Sequence, residues 1–201
     1  MPVSEMPATI ETDLSAPADR EQVHTRNIIC QAFRRSDGLF DIEAEMRDRK
    51  HYDFPNELRG VVEAFEPYHH MQVRLTIDTS LTIIEAEAKT LAGPFRVCPD
   101  AADNIRGIIG LQIGPGWRRA AQKAIGGAAG CTHITELMGP MATTALQTIF
   151  GEEARQRRAG MSDVDKQNRS SSSLRNSCLA FADGGDVARA NWENPALDST
   201  P

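Results

Sequence analysis

Apolar and polar residues alternate twice along this chain in long, clean runs. Phe40, Ile42, Ala44 and Met46 share one side of an extended segment, and Asp41, Glu43 and Glu45 share the other. Met71, Val73, Leu75 and Ile77 alternate in the same way with Gln72, Arg74, Thr76 and Asp78. A period of two marks a strand with one face buried and one wet, as in antiparallel sheets. Each run has a partner next to it. Arg26–Phe33 precedes the first across Ser36-Asp37-Gly38, and Leu81–Ala88 follows the second across Thr79-Ser80. Asp-Gly between two such runs is a hairpin signal, because glycine accepts the positive φ that the turn needs. Two hairpins predict a four-stranded antiparallel sheet whose apolar face requires a cover.

Past Gly93 the apolar spacing lengthens. Cys98-Pro99-Asp100 reads as a helix entrance, followed by Ile105, Ile108, Ile109 and Leu111 on one side and closed by Gly114-Pro115-Gly116. Trp117–Ile125 reads as a second helix, closed by Gly126-Gly127. A third starts at Thr132, with Ile134, Leu137, Met138, Met141, Leu146, Ile149 and Phe150 at helical spacing. Gly139-Pro140 is expected to kink or break it. The fold class that results is α+β, a four-stranded antiparallel sheet covered by about three helices.

The rest of the chain lacks such periods. Residues 1–22 mix Pro, Ser, Thr and acids and read as a mobile arm. The stretch from Asp48 to Pro67 reads as irregular, with Pro55 and Gly60 as breakers. Residues 23–151 then form the domain and 152–173 a flexible linker ending in Arg169-Ser170-Ser171-Ser172-Ser173. Residues 174–201 form a tail expected to pack partly back on the domain.

Charge narrows the function. With 22 basic and 28 acidic residues the chain carries −6, which argues against a nucleic-acid footprint. Arg118-Arg119 and the run from Arg155 to Arg158 read as solvated helix surface. No apolar run nears the ~20 residues of a membrane span. The first residues show neither the basic nor the apolar region of a secretory signal, so a cytoplasmic location is expected. Four dispersed cysteines in a chain of this size suggest thiols or ligands rather than a disulfide scaffold.

Candidate chemistry gathers around the glycine-rich run 126–130 and the helix start after it. Cys131 and His133 are one residue apart at a tight turn, and Cys98 stands at another predicted helix start. Thiolate and imidazole suit zinc or iron, so Cys131, His133 and Cys98 form one candidate metal set, with Cys178 as a further ligand. Histidines at strand entrances offer another: His24, and one of His69 and His70, since adjacent strand residues face opposite ways. With His133 and Glu136 these give a three-His or two-His-plus-carboxylate set suited to an open catalytic metal site. The catalytic candidates are thus His133, Glu136, His70, His24 and Arg74. Arg26 and Thr132, at a helix N-terminus, are the candidates for holding an anion. The acids of the sheet's polar face, Asp41, Glu43, Glu45, Glu85 and Glu87, read as a solvated ladder of ion pairs. No nucleophile elbow, P-loop, dinucleotide fingerprint or kinase signature is present.

His24-Thr25-Arg26, Arg35-Ser36-Asp37-Gly38-Leu39, His70–Asp78 and Gly130-Cys131-Thr132-His133 together resemble a bacterial family known only as a domain of unknown function, over about residues 23–192. That resemblance implies a single domain and no activity. The order of Ile83-Ile84-Glu85-Ala86, Cys98, Gly110 and Cys131 is distantly similar to cysteine-rich scaffold domains of iron–sulfur assembly and ribonucleotide-reductase tails. The extra ligand near the first cysteine and the second cysteine of the later helix are missing here.

Two functional readings follow. In the first, a small enzyme uses the centre for hydrolysis, hydration or lyase chemistry on a small anionic molecule, with a homo-oligomer compatible. In the second, the same cluster is a structural Cys/His metal site of a non-enzymatic module. Four protein ligands would favour the module, and three with an open position the enzyme.

Overall fold

The computed structural model describes residues 10, 12–160 and 175–192. They form an α+β arrangement built on a four-stranded antiparallel sheet. Its strands are β1 (His24–Arg34), β2 (Phe40–Lys50), β5 (Pro67–Ile77) and β6 (Ile83–Ala92), side by side in the order β1-β2-β5-β6. Between β2 and β5 lies a small ribbon of β3 (Phe54–Asn56) and β4 (Gly60–Val62). This corrects the irregular stretch expected there: Pro55 is tolerated in a two-stranded ribbon, and Gly60 takes φ +74 at its return.

The first hairpin turns where the sequence places it. Gly38 holds φ +88, and the Asp37 carboxylate accepts from the Leu39 amide at 3.2 Å. In the second, Asp78 accepts from the amides of Ser80 and Thr82, each at 2.9 Å. One face of the sheet carries rows in register, Ala32–Ile42–Leu75–Ala86 and Ile28–Met46–Met71–Thr90 among them. Ile42, Met46, Met71, Leu75 and Ile77 on that face are fully buried. Each such side chain contributes about 1.5–3 kcal/mol by leaving water.

Helices cover that face. The first is a 3-10 helix, Asp100–Ile108, shorter than the expected segment. Its buried residues Ala102, Ile105 and Ile108 recur every three positions, which suits three residues per turn. Leu111 lies beyond it and accepts from the Ile83 amide. Helix α1 (Trp117–Ile125) buries Trp117, Ala121 and Ile125. Helix α2 (Thr132–Gly160) buries Ile134, Leu137, Met138 and Met141 in its first half. It runs through Gly139-Pro140 as one helix, so of the kink or break expected there the break does not occur. Proline removes one donor, and the carbonyl left without it belongs to Glu136, at an exposed position. The Trp117 indole donates to the Met138 carbonyl at 2.8 Å, which fixes α1 against α2.

The chain divides into two compact units, residues 1–148 and 149–201. In the second, α2 continues to Gly160, into the stretch read as linker. After residues 161–174, which lie outside the described ones together with the serine run, Asp183 accepts from Arg175 and Asn176 ahead of α3 (Asp186–Trp192). No helix among the described residues is long and apolar enough to cross a membrane.

Candidate metal centre

The apolar rows of the covered face end in a polar one. Beyond Ile28–Met46–Met71, the next residues in register are Arg26, Asp48 and His69. The alternation that buries Met46 and Met71 therefore turns Asp48 and His69 to the same side, two residues further along their strands, where Asp48 is buried and His69 half-buried. Asp48 retains only 1 % of its exposure. The irregular stretch expected from Asp48 onwards thus begins inside β2, which runs to Lys50.

Arg26 makes that burial tolerable. Its Nε donates to Asp48 Oδ1 at 2.6 Å and its Nη2 to Oδ2 at 2.7 Å, a bidentate pair. Burial alone would push the Asp48 carboxyl up. The two arginine bonds and the approach of His69 outweigh it and hold the group far below the usual carboxylate range. The same interactions raise the Arg26 guanidinium, with the Asp48 hydrogen bond the largest cause. Its Nη1 donates to the Glu136 carboxylate, so one arginine ties the sheet to α2.

The second histidine comes from α2. Its start is shaped by backbone crowding: a Cβ on Gly130 would stand 1.8 Å from the Ile125 carbonyl oxygen, so only glycine lets the chain turn back there. The Cys131 carbonyl then accepts from the Thr135 amide and hydroxyl, both at 2.9 Å. Burial raises the Cys131 thiol, but His133 and the amides of Ile134 and His133 more than offset it, and the net shift is downward. Cys131 Sγ lies 3.9 Å from His133 Nδ1, which leaves the other nitrogen of that ring, Nε2, facing Asp48 Oδ2 at 3.6 Å.

Three side chains from three elements thus meet. His69 Nδ1 lies 3.1 Å from Asp48 Oδ2, and the rings of His69 and His133 stack at 3.8 Å. One ligand atom from each of Asp48, His69 and His133 lies within 4.8 Å of the other two, a group able to hold a metal ion. Ligands at about 2.0–2.2 Å from a cation stand about 3.0–3.5 Å apart, close to the two edges measured at Asp48. His24 stands at the rim, with Nε2 3.5 Å from Asp48 Oδ1 and its side chain 43 % exposed.

The other sequence candidates are placed as follows. His70 faces the opposite side of the sheet, paired with Glu45 at 2.8 Å, because it is His69 that shares the strand side of Met71. Arg74 is on that outer side too, donating to Glu43 at 2.8 Å. Glu136 and Arg26 bind each other, so the arginine's role is to hold Asp48. Thr132 opens α2 with an exposed side chain. Cys98 is held beside Gly93 and Thr90 next to β6 and does not join the cluster. Cys178 is an exposed thiol of the second unit, and all four cysteines are free.

A depression of about 530 Å³ lies on the outer sheet face among Glu43, Glu45, Gln72, Arg74, Glu87 and Lys89. It is away from Asp48, and its charges neutralise one another: Arg74 with Glu43 and Glu87 across the strands, and Lys89 with Glu87 along β6. Converging ligand atoms, the chemical signature of a centre, are found only on the covered side among the described residues. Comparison with known proteins gives one finding. The family described as "Protein of unknown function (DUF2889)" matches residues 24–147, a span that takes in β1 through the first half of α2 and every residue of the centre. No curated protein and no solved structure matches.

Proposed function

For this chain, which belongs to that family of proteins of unknown function, we propose a catalytic centre in which Asp48, His69 and His133 hold a divalent first-row metal ion, zinc or iron. The observation that carries this reading is the meeting of one carboxylate and two imidazoles from β2, β5 and α2. Two histidines and one carboxylate form the ligand set of open zinc and ferrous sites, which keep positions for water and substrate. A structural zinc site takes four protein ligands. Among the described residues Cys131 supports the far nitrogen of His133 instead of joining as a fourth.

The residues divide the work. Asp48 supplies the anionic ligand and Arg26 fixes its orientation, the second-shell support that metal-bound carboxylates need. Cys131 orients His133 in the same sense. A metal ion here would activate water near neutral pH and polarise a substrate oxygen. His24, partly exposed beside Asp48, is suited to pass a proton to solvent. The chemistry is hydrolysis, hydration or elimination on a small anionic organic molecule, and the partner is that substrate. Four free thiols suit a reducing compartment, the cytoplasm.

A panel of small esters, amides and hydroxy acids tests the reading, with protein stripped by chelator and then reconstituted. Turnover is expected only after reconstitution, and not in His133→Ala. Turnover that survives stripping would contradict it.

A further inference from the structure

Arg26 is committed to Asp48 and Glu136, so the cation that would receive an anionic substrate must lie elsewhere. Lys50 is the next cation on the Asp48 side of the strand. It lies on β2 two residues past Asp48, on the same side, about 6.6 Å away along the chain. It pairs in register with His24 as Asp48 pairs with Arg26. Its Nζ stands 4.5 Å from the Phe54 ring centre, 5.5 Å from Tyr52 and 5.7 Å from Tyr68.

The rings connect this ammonium to the centre. The strand pairing shifts register between Asp48 and Arg49, opposite Pro67 and His69, and the extra residue there is Tyr68. The Tyr68 ring meets Phe54 edge-on at 5.3 Å and His69 edge-on at 4.9 Å. One ring thus touches both the Lys50 enclosure and a candidate ligand. An aromatic enclosure attracts a cation through the ring faces, and this one is filled by the protein's own lysine. Among the described residues no carboxylate pairs with Lys50, whereas Arg26, Arg35, Arg47, Arg59 and Arg74 each have one.

We infer that Lys50 is the anion anchor of the site, receiving the carboxylate of a small organic acid whose apolar body lies along the Tyr52, Phe54 and Tyr68 rings and whose reacting oxygen turns towards Asp48, His69 and His133. The inference rests on the metal centre proposed above and adds the substrate class. A single ammonium with three donors suits one carboxylate, and the ring walls suit a carbon skeleton better than a bare inorganic anion.

Isothermal titration of zinc-loaded protein with benzoate and with inorganic phosphate tests it, alongside the zinc content of each sample. Wild type is expected to bind one benzoate, more tightly than phosphate. Lys50→Met weakens benzoate at least tenfold with zinc content unchanged, and Lys50→Arg, which keeps the charge, stays within about threefold of wild type. Absence of benzoate binding by zinc-loaded wild type, or equal binding by Lys50→Met, overturns the anchor while leaving the metal centre standing. Tighter phosphate binding overturns the carboxylate class. Loss of zinc from Lys50→Met makes the lysine structural, and a wild type that takes up no zinc removes the centre and the anchor together.

Discussion

His69 and His133 stack at 3.8 Å between ring centres, one from the start of β5 and the other from the first turn of α2, and both turn a nitrogen to the same oxygen of Asp48. Neither ring could hold this position without the other elements in place. The sheet supplies the carboxylate and one imidazole in a single row, and the glycine-bounded entry to α2 brings the second over it. The candidate centre and the fold therefore share residues at this corner, which makes several consequences measurable.

Asp48 is buried and its bidentate partner Arg26 is partly exposed, so removing either leaves the other without its main partner. Asp48→Asn is expected to cost about 1.5–3 kcal/mol in urea unfolding, the worth of hydrogen bonds to a charged group. Adding Arg26→Met to that variant should cost much less than Arg26→Met costs alone, since the pair is already broken. Additive losses would show that the two do not act as a unit.

Acid sensitivity follows from the same carboxylate. Its folded-state pKa is depressed, so the unfolded chain takes up the proton first. The stability it contributes is complete well above the unfolded carboxylate's pKa, about 3.9, and is lost as pH falls through the lower folded value. The stability difference between wild type and Asp48→Asn should be constant from pH 6 to 8 and shrink progressively below about pH 5. A difference that grows on acidification would reverse the assigned sign.

Gly130→Ala places a methyl group against the Ile125 carbonyl oxygen, and the backbone itself must move. The expected cost is about 2–4 kcal/mol, with His133 displaced from Asp48. Gly38→Ala, where φ is +88 but the surrounding space is open, should cost only about 1 kcal/mol and leave the centre unchanged. Equal melting temperatures for the two variants would count against the crowding at α2.

The thiols should separate by pH. Burial raises Cys30, only partly relieved by Thr144, whereas Cys131 is lowered by His133 and the helix amides despite its own burial. In chelator-treated single-cysteine variants, the rate of iodoacetamide labelling should reach its midpoint at lower pH for Cys131 than for Cys30. The reverse order would remove the contact with His133 from the account.

Much of this was legible in the pattern of residues. Alternation from Phe40 to Met46 and from Met71 to Ile77 gives the two central strands, and Gly126-Gly127 with Thr132 gives the helix boundaries. His133 is a candidate on the sequence alone, whereas the catalytic set read from it takes His70 and the cluster takes His69. Asp48 was harder to see. It opens the charged run Asp48-Arg49-Lys50-His51, which looks like a loop because its burial depends on Arg26, a partner from another strand. One signal was available: Asp48 is the next even-numbered residue after Met46, and a carboxylate at an inward position asks for a partner or a metal. The choice between His69 and His70 follows from Met71 by the same counting. Cysteine, by contrast, drew attention for its ligand chemistry, and only packing shows that Cys98 sits against Gly93 while Cys131 serves His133.

The most direct test of the central claim is the metal content of tag-free protein, measured by elemental analysis for wild type, Asp48→Asn, His69→Ala, His133→Ala and Cys98→Ala. The account predicts about one zinc or iron per chain in wild type and in Cys98→Ala, and less than a tenth of that in the other three while they remain folded. A wild type without metal, or metal retained when Asp48, His69 and His133 are each replaced, would contradict it.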